Sequence, residues 1–125
     1  MKILICESEE VLLTAIEFRL RKNGYDIAWA KTSSEAMDKI KEEQPDLFII
    51  DMETDTDDSM GMIKEVRDSH DAQLPILIMA EMESAEMILN AIEQGVDDFL
   101  IKPFKPVELV LRAQIILDKL EKLKA

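Results

Sequence analysis

The chain predicts a doubly wound α/β fold, a (βα)5 arrangement with a five-stranded parallel sheet, and three observations carry that prediction. Short apolar runs, too brief for helices, recur five times and alternate with segments of helical periodicity. Strict alternation of this kind, under the right-handed crossover rule, gives parallel strands with helices on both faces. The run Leu47-Phe48-Ile49-Ile50, with Pro45 before it and an acidic segment after it, is apolar at consecutive positions, as a strand buried on both faces must be. Finally, no linker or low-complexity stretch interrupts the 125 residues, so residues 1–125 read as one domain.

Composition narrows the class further. A chain of this length buries roughly two thirds of the surface it would expose unfolded, so no covalent staple is needed. Cys6 is the single cysteine and sits inside an apolar run, which excludes an intrachain disulfide and reads as an inert buried thiol in a reducing compartment. The formal net charge of -12 and pI near 4.4 argue against binding a nucleic-acid backbone or an anionic membrane directly. No apolar run reaches the ~18 residues of a membrane span, and the N-terminus enters a strand directly instead of a signal peptide. A cytoplasmic protein is the expectation.

In chain order, Ile3-Leu4-Ile5-Cys6 reads as the first strand, and Leu12, Ile16 and Leu20 recur at helical spacing after it. Gly24 supplies a left-handed residue behind that helix. Tyr25 to Ala30 gives the second strand. Thr32 and Glu35 have capping-box spacing ahead of a helix with Ala36, Met37 and Ile40 that runs to about Glu43. The strand ending at Asp51 follows, then an acidic loop from Glu53 to Asp58 and a helix through Met62, Ile63 and Val66. Pro75 opens the strand Ile76 to Met79. Ser84 can cap a helix containing Ile88, Ala91 and Ile92, which Gly95 ends. Val96 to Ile101 gives the fifth strand, and Pro106 suits the first turn of a last helix reaching Leu123.

Open α/β sheets gather their chemistry outside the C-terminal ends of the strands, where the first and third strands are neighbours. Glu7 and Asp51 should converge there. Two close carboxylates repel, and a hard divalent cation such as Mg²⁺ answers that repulsion with oxygen ligands. Lys102, at the end of the fifth strand, adds a fixed positive charge. A carboxylate, a metal and a lysine together can neutralise a phosphoryl group while the carboxylate attacks it, giving an acyl phosphate. A lone acid at a strand end is more often merely solvated; the combination carries the signal.

Four segments match one family along the whole chain: 2–7, 45–51, 74–79 and above all Gly95-Val96-Asp97-Asp98-Phe99-Leu100-Ile101-Lys102-Pro103-Phe104. By them the chain resembles the CheY-like receiver domains of two-component response regulators. The resemblance implies a flavodoxin-like fold, a phosphoprotein of a phosphorelay rather than an enzyme, and a histidine kinase or phosphotransfer protein as partner. It implies Asp51 as phosphoacceptor, Lys102 on the phosphoryl oxygens and a cis Lys102-Pro103 bond. The metal ligands it implies are Glu7, Asp51 and the backbone carbonyl of Glu53, holding Mg²⁺.

Two positions depart from the family pattern. Ser8 stands where the family usually places the carboxylate that ligates Mg²⁺ directly, and a neutral hydroxyl is a poorer partner for a hard dication, so metal affinity should fall. Ala80 stands where the family usually has Thr or Ser, whose hydroxyl draws the following loop inward while an aromatic residue, here Phe99, fills the vacated space. A charge-assisted hydrogen bond of that kind contributes about 1.5–3 kcal/mol, so a switch relying on it loses much of its bias.

Plainer readings stand beside these. Ser8 can serve as N-cap of the first helix, with Glu9 and Glu10 in its first turn. Glu53, Asp55, Asp57 and Asp58 read as a solvated loop, with a compensating metal carboxylate as the alternative. His70 reads as a loop residue and Trp29 as packing at a strand end. Met79, Met82 and Met87 read as core filler, although methionine also suits adaptable binding faces.

In the last helix Leu109, Ala113, Ile116, Leu120 and Leu123 form one stripe, while Val110, Leu111, Ile115 and Leu117 lie off it. One face covers the sheet and the excess calls for another partner. Asp98 and Arg112 match positions that pair across a two-fold interface in one subfamily, whereas Ile88 replaces the basic residue that would meet Glu108. A homodimer through Asp98, Glu108 and Arg112 is therefore expected, and residues 119–125 read as the start of a linker toward an output domain. Two functions survive: a phosphoacceptor on Asp51 that switches partner or dimer contacts, and an atypical pseudo-receiver working as an interaction and dimerisation module without phosphorylation. Flavin binding fares poorly, because the acidic loop Glu7-Ser8-Glu9-Glu10 is the opposite of a phosphate cradle.

Overall fold

The computed structural model describes residues 1–53, 59–69, 72–82 and 85–124. The expectations for Asp55, Asp57, Asp58, His70 and the Ser84 cap fall outside the described residues. Five strands, β1 (Lys2–Cys6), β2 (Asp26–Ala30), β3 (Leu47–Asp51), β4 (Ile76–Glu81) and β5 (Asp98–Lys102), alternate with five helices. The helices are α1 (Glu10–Lys22), α2 (Ser33–Glu43), α3 (Ser59–Arg67), α4 (Ala85–Glu93) and α5 (Pro106–Lys124). All strand pairs are parallel, in the order β2-β1-β3-β4-β5, which is the flavodoxin-like receiver architecture.

Side-chain alternation along the strands divides the core into two layers. Leu4, Cys6, Phe48, Ile50, Ile76 and Ile78 point to one face and pack with residues of α2, α3 and α4 such as Ile40, Ile63 and Ala91. Ile3, Ile5, Leu47, Ile49, Leu77 and Met79 point to the other, against α1 and α5. Strand β3 is central and every one of its residues is buried, which is why it is apolar without interruption up to Asp51. Cys6 is free and buried, as expected.

The termini of the helices follow local chemistry. Thr32 Oγ1 accepts from Glu35 N at 3.1 Å, and Glu35 Oε2 accepts from Lys31 N at 3.0 Å, so the predicted capping box closes one residue further out than expected. Gly24 has φ +92, the left-handed residue predicted behind α1. Pro106 opens α5.

Several expectations need correction. Ser8 does not cap α1: the N-cap is Glu9, with no side-chain cap bond, and the nearby backbone donors turn instead to the Glu7 carboxylate. In α5, Val110 and Leu117 are buried, while Leu123 is 78% exposed, because the helix leaves the sheet before its last turn. Met82 is exposed rather than core filler. Ile88 is buried, so it does not stand on the surface as the replaced basic residue would.

Candidate functional site

Asp51 ends β3, Glu7 follows β1 and Lys102 ends β5, so three residues distant in sequence reach one rim of the sheet. Lys102 Nζ donates to Asp51 Oδ2 at 2.6 Å, and Asp51 Oδ1 accepts from Glu53 N at 2.9 Å. Glu7 is buried, and its Oε2 accepts from Ser8 N at 2.9 Å and Glu9 N at 3.2 Å. Its other oxygen, Oε1, is buried with no hydrogen-bond donor among the described residues. The peptide between Lys102 and Pro103 is cis, as expected, and carries the chain from the end of β5 toward α5.

Two carboxylates this close compete for one proton. Burial, reinforced by the neighbouring Asp51 carboxylate, pushes the Glu7 carboxyl up to about 7. Burial also opposes ionisation of Asp51, but the neighbouring Glu7 acid, the Lys102 ammonium and the Glu53 amide outweigh it and hold Asp51 below its ordinary value. Burial likewise opposes the charge on Lys102, and its contact with Asp51 overrides this, leaving the ammonium raised. At neutral pH the site therefore holds an ionised Asp51, a fixed cation and a Glu7 poised to lose its proton.

The donor set fits a small hard cation. A buried carboxylate oxygen without a donor, beside a second carboxylate, is what a dication would satisfy, and Mg²⁺ needs few protein oxygens because it keeps its waters. Glu7, Asp51 and the Glu53 carbonyl are the groups that would hold it. Ser8 is exposed and offers only a hydroxyl, and no cluster of three acidic, His or Cys ligands occurs among the described residues.

The surroundings are equally specific. Ala80 is fully buried on β4 and brings only a methyl group to the rim. Phe99 is on the neighbouring β5 and 36% exposed, directed away from the core. Asp98 and Arg112 meet within the chain, both oxygens of the carboxylate lying 2.9 Å from Arg112 Nη1. Glu108 Oε1 accepts from Lys105 N at 3.3 Å, serving the start of α5. Exposed apolar side chains on α4, β5 and α5 include Leu89, Phe99, Leu111 and Ile115.

Some relevant groups escaped sequence reasoning. Trp29 does more than pack: its Nε1 donates to the Glu7 carbonyl at 3.1 Å, with Lys31 Nζ 5.0 Å from the ring centre. On α1, Val11 and Phe18 are largely exposed and line a groove with Pro106 at the start of α5. Their separation of seven, off the Ile16 and Leu20 stripe, was the available signal.

The chain matches the sequence family described as the response regulator receiver domain over residues 3–114. Among solved structures it is similar to a provisionally assigned response regulator from Chloroflexus aurantiacus J-10-fl, at 31% identity and TM-score 0.85, covering 94% of this chain and 97% of that one. It is similar to a two-component response regulator from Clostridium difficile, at 28% identity and TM-score 0.87, covering 96% and 98%. NtrX from Brucella abortus is a longer neighbour, at 26% identity and TM-score 0.88, where the match covers 98% of this chain but 28% of that one.

Proposed function

The chain belongs to the response regulator receiver domain family of two-component signalling, and from that premise we propose that Asp51 accepts a phosphoryl group from the phosphohistidine of a kinase or phosphotransfer protein. One observation carries this reading: a buried, ionised carboxylate at the end of the central strand, held 2.6 Å from a lysine ammonium and beside a second acid. An Asp51 oxygen attacks phosphorus, the P–N bond breaks, and its electron pair returns to the donor imidazole. Lys102, already desolvated and cationic, takes the phosphoryl oxygens as they approach. The Glu53 amide keeps the carboxylate oriented. Mg²⁺, when held by Glu7, Asp51 and the Glu53 carbonyl, supplies positive charge against the phosphoryl oxygens. Ser8 makes that hold weak.

The apolar surface of α4, β5 and α5 supports a homodimer as the output, and the exposed last turn of α5 supports continuation from 119–125 into a linker. A second reading, an interaction module that does not use phosphorylation, is favoured by Ser8 and Ala80. Beryllofluoride with saturating Mg²⁺ separates the two. Chemical-shift changes at Asp51, Lys102 and Phe99 that vanish in Asp51→Asn support the phosphoacceptor; an unchanged spectrum supports the module.

A further inference from the structure

Glu53 entered the site through its backbone, yet its side chain spans it. Glu53 Oε1 accepts from the Glu81 backbone N–H at 3.0 Å, and Glu53 Oε2 lies 3.9 Å from Lys102 Nζ. One carboxylate thus touches the end of β4 and the lysine that neutralises Asp51. Glu81 pairs with Lys102 in the sheet register, so both contacts fall on the same strand ends. The residue before Glu81 is Ala80, fully buried and without a polar side-chain atom, so it can offer no side-chain hydrogen bond to a group on Asp51.

We propose that the Glu53 carboxylate is a positioning residue that ties the start of the β4–α4 connection to the charge state of the Asp51 site, in place of a hydroxyl at position 80. The inference rests on the phosphoacceptor reading. In the resting chain Lys102 is shared between Asp51 at 2.6 Å and Glu53 at 3.9 Å, and Glu53 holds Glu81 N. A phosphoryl dianion on Asp51 claims Lys102 and stands as a like charge beside Glu53. The Glu53 side chain then swings outward and its bond to Glu81 N breaks. The signal leaves the site as a released strand end instead of an inward-drawn loop, along the edge that leads to Met82 and α4.

Amide hydrogen exchange and chemical shifts of Glu81 test this on the whole chain. Without beryllofluoride, Glu53→Ala should raise exchange at Glu81 on the order of tenfold, while Glu53→Gln, which keeps an accepting oxygen, should leave it near the parent. With beryllofluoride and Mg²⁺ the parent should approach the Glu53→Ala value, and Glu53→Gln, lacking the charge to be repelled, should respond far less. Equal resting exchange in the parent and Glu53→Ala overturns the inference. So does beryllofluoride binding, seen as shifts at Asp51 and Lys102, that leaves Glu81 unchanged in the parent. Absence of shifts even at Asp51 sinks the phosphoacceptor reading itself and the release step with it.

Discussion

Lys102 Nζ and Asp51 Oδ2 stand 2.6 Å apart across fifty-one residues of sequence, with the aspartate side chain 6% and the lysine side chain 21% exposed. A contact this short between desolvated charges is a charge-assisted hydrogen bond, and removing one partner leaves the other uncompensated. Lys102→Met should therefore destabilise the metal-free chain by about 1–3 kcal/mol at neutral pH, by urea unfolding. Asp51 is held below its ordinary value in the folded state, so this stabilisation is present above the ordinary carboxylate range and lost as pH falls through it. A Lys102→Met chain as stable as the parent at pH 7 would show that the contact contributes nothing.

Glu7 has the opposite sign. Its carboxyl is raised from 4.5 to about 7, so its contribution is fully present below the unfolded value and is lost as pH rises through the folded one. The metal-free chain should lose stability between about pH 4.5 and 7, by at most about 3 kcal/mol. Glu7→Gln should flatten that slope, and saturating Mg²⁺ should shrink the loss by favouring the ionised acid in the folded state. Thermal unfolding across that window checks it; a parallel slope in Glu7→Gln would reject the assignment.

At the proposed metal site, Ser8 should limit affinity. Ser8→Asp places a third carboxylate beside Glu7 and Asp51 and should tighten Mg²⁺ on the order of tenfold. Trp29, the single tryptophan, donates to the Glu7 carbonyl and provides a fluorescence readout alongside calorimetry. Equal affinities would mean that Ser8 is not what limits binding.

Arg67 fastens two loops to α3. Its guanidinium donates to the carbonyls of Ala72 at 3.1 Å, Leu74 at 2.7 Å and Gly95 at 2.9 Å, and to Asp97 Oδ2 at 3.2 Å. Lysine cannot reproduce that fork. Arg67→Lys should cost about 1–3 kcal/mol in chemical denaturation, with the beryllofluoride response of the Asp51 site unchanged.

The exposed apolar face of α5 gives a test of assembly. If the proposed dimer uses it, Leu111→Glu combined with Ile115→Lys should hold the chain monomeric in light scattering at concentrations where the parent self-associates, and beryllofluoride should strengthen the parent's association only. A parent that stays monomeric into high micromolar concentrations rejects this output.

Much of the molecule was legible before any coordinates. The apolar run 47–50 demanded an interior strand, and alternation with right-handed crossovers made the sheet parallel with its first and third strands as neighbours, so the meeting of Glu7 and Asp51 was expected; the full order β2-β1-β3-β4-β5 came from the structure. Boundaries were less legible: β5 begins at Asp98 rather than Val96, because Val96 N still bonds back to Ala91 O of α4. Gln44, in the left-handed region with φ 47, closes α2 where neither glycine nor asparagine signalled it.

What the sequence alone determined was the pattern of burial, since apolar period and turn residues act locally and are written in neighbouring positions. It named the carboxylates and the lysine at the strand ends. Only the tertiary structure decided how polar groups are shared there: the Glu53 carboxylate on Glu81 N, the Trp29 indole on the Glu7 carbonyl, the Arg67 fork over two loops, and Asp98 turned to Arg112 within the chain. Hydrogen bonds depend on direction and distance between atoms many residues apart. No spacing in a linear chain encodes which of several nearby acceptors a donor will meet, so those choices exist only once the sheet has brought the strand ends together.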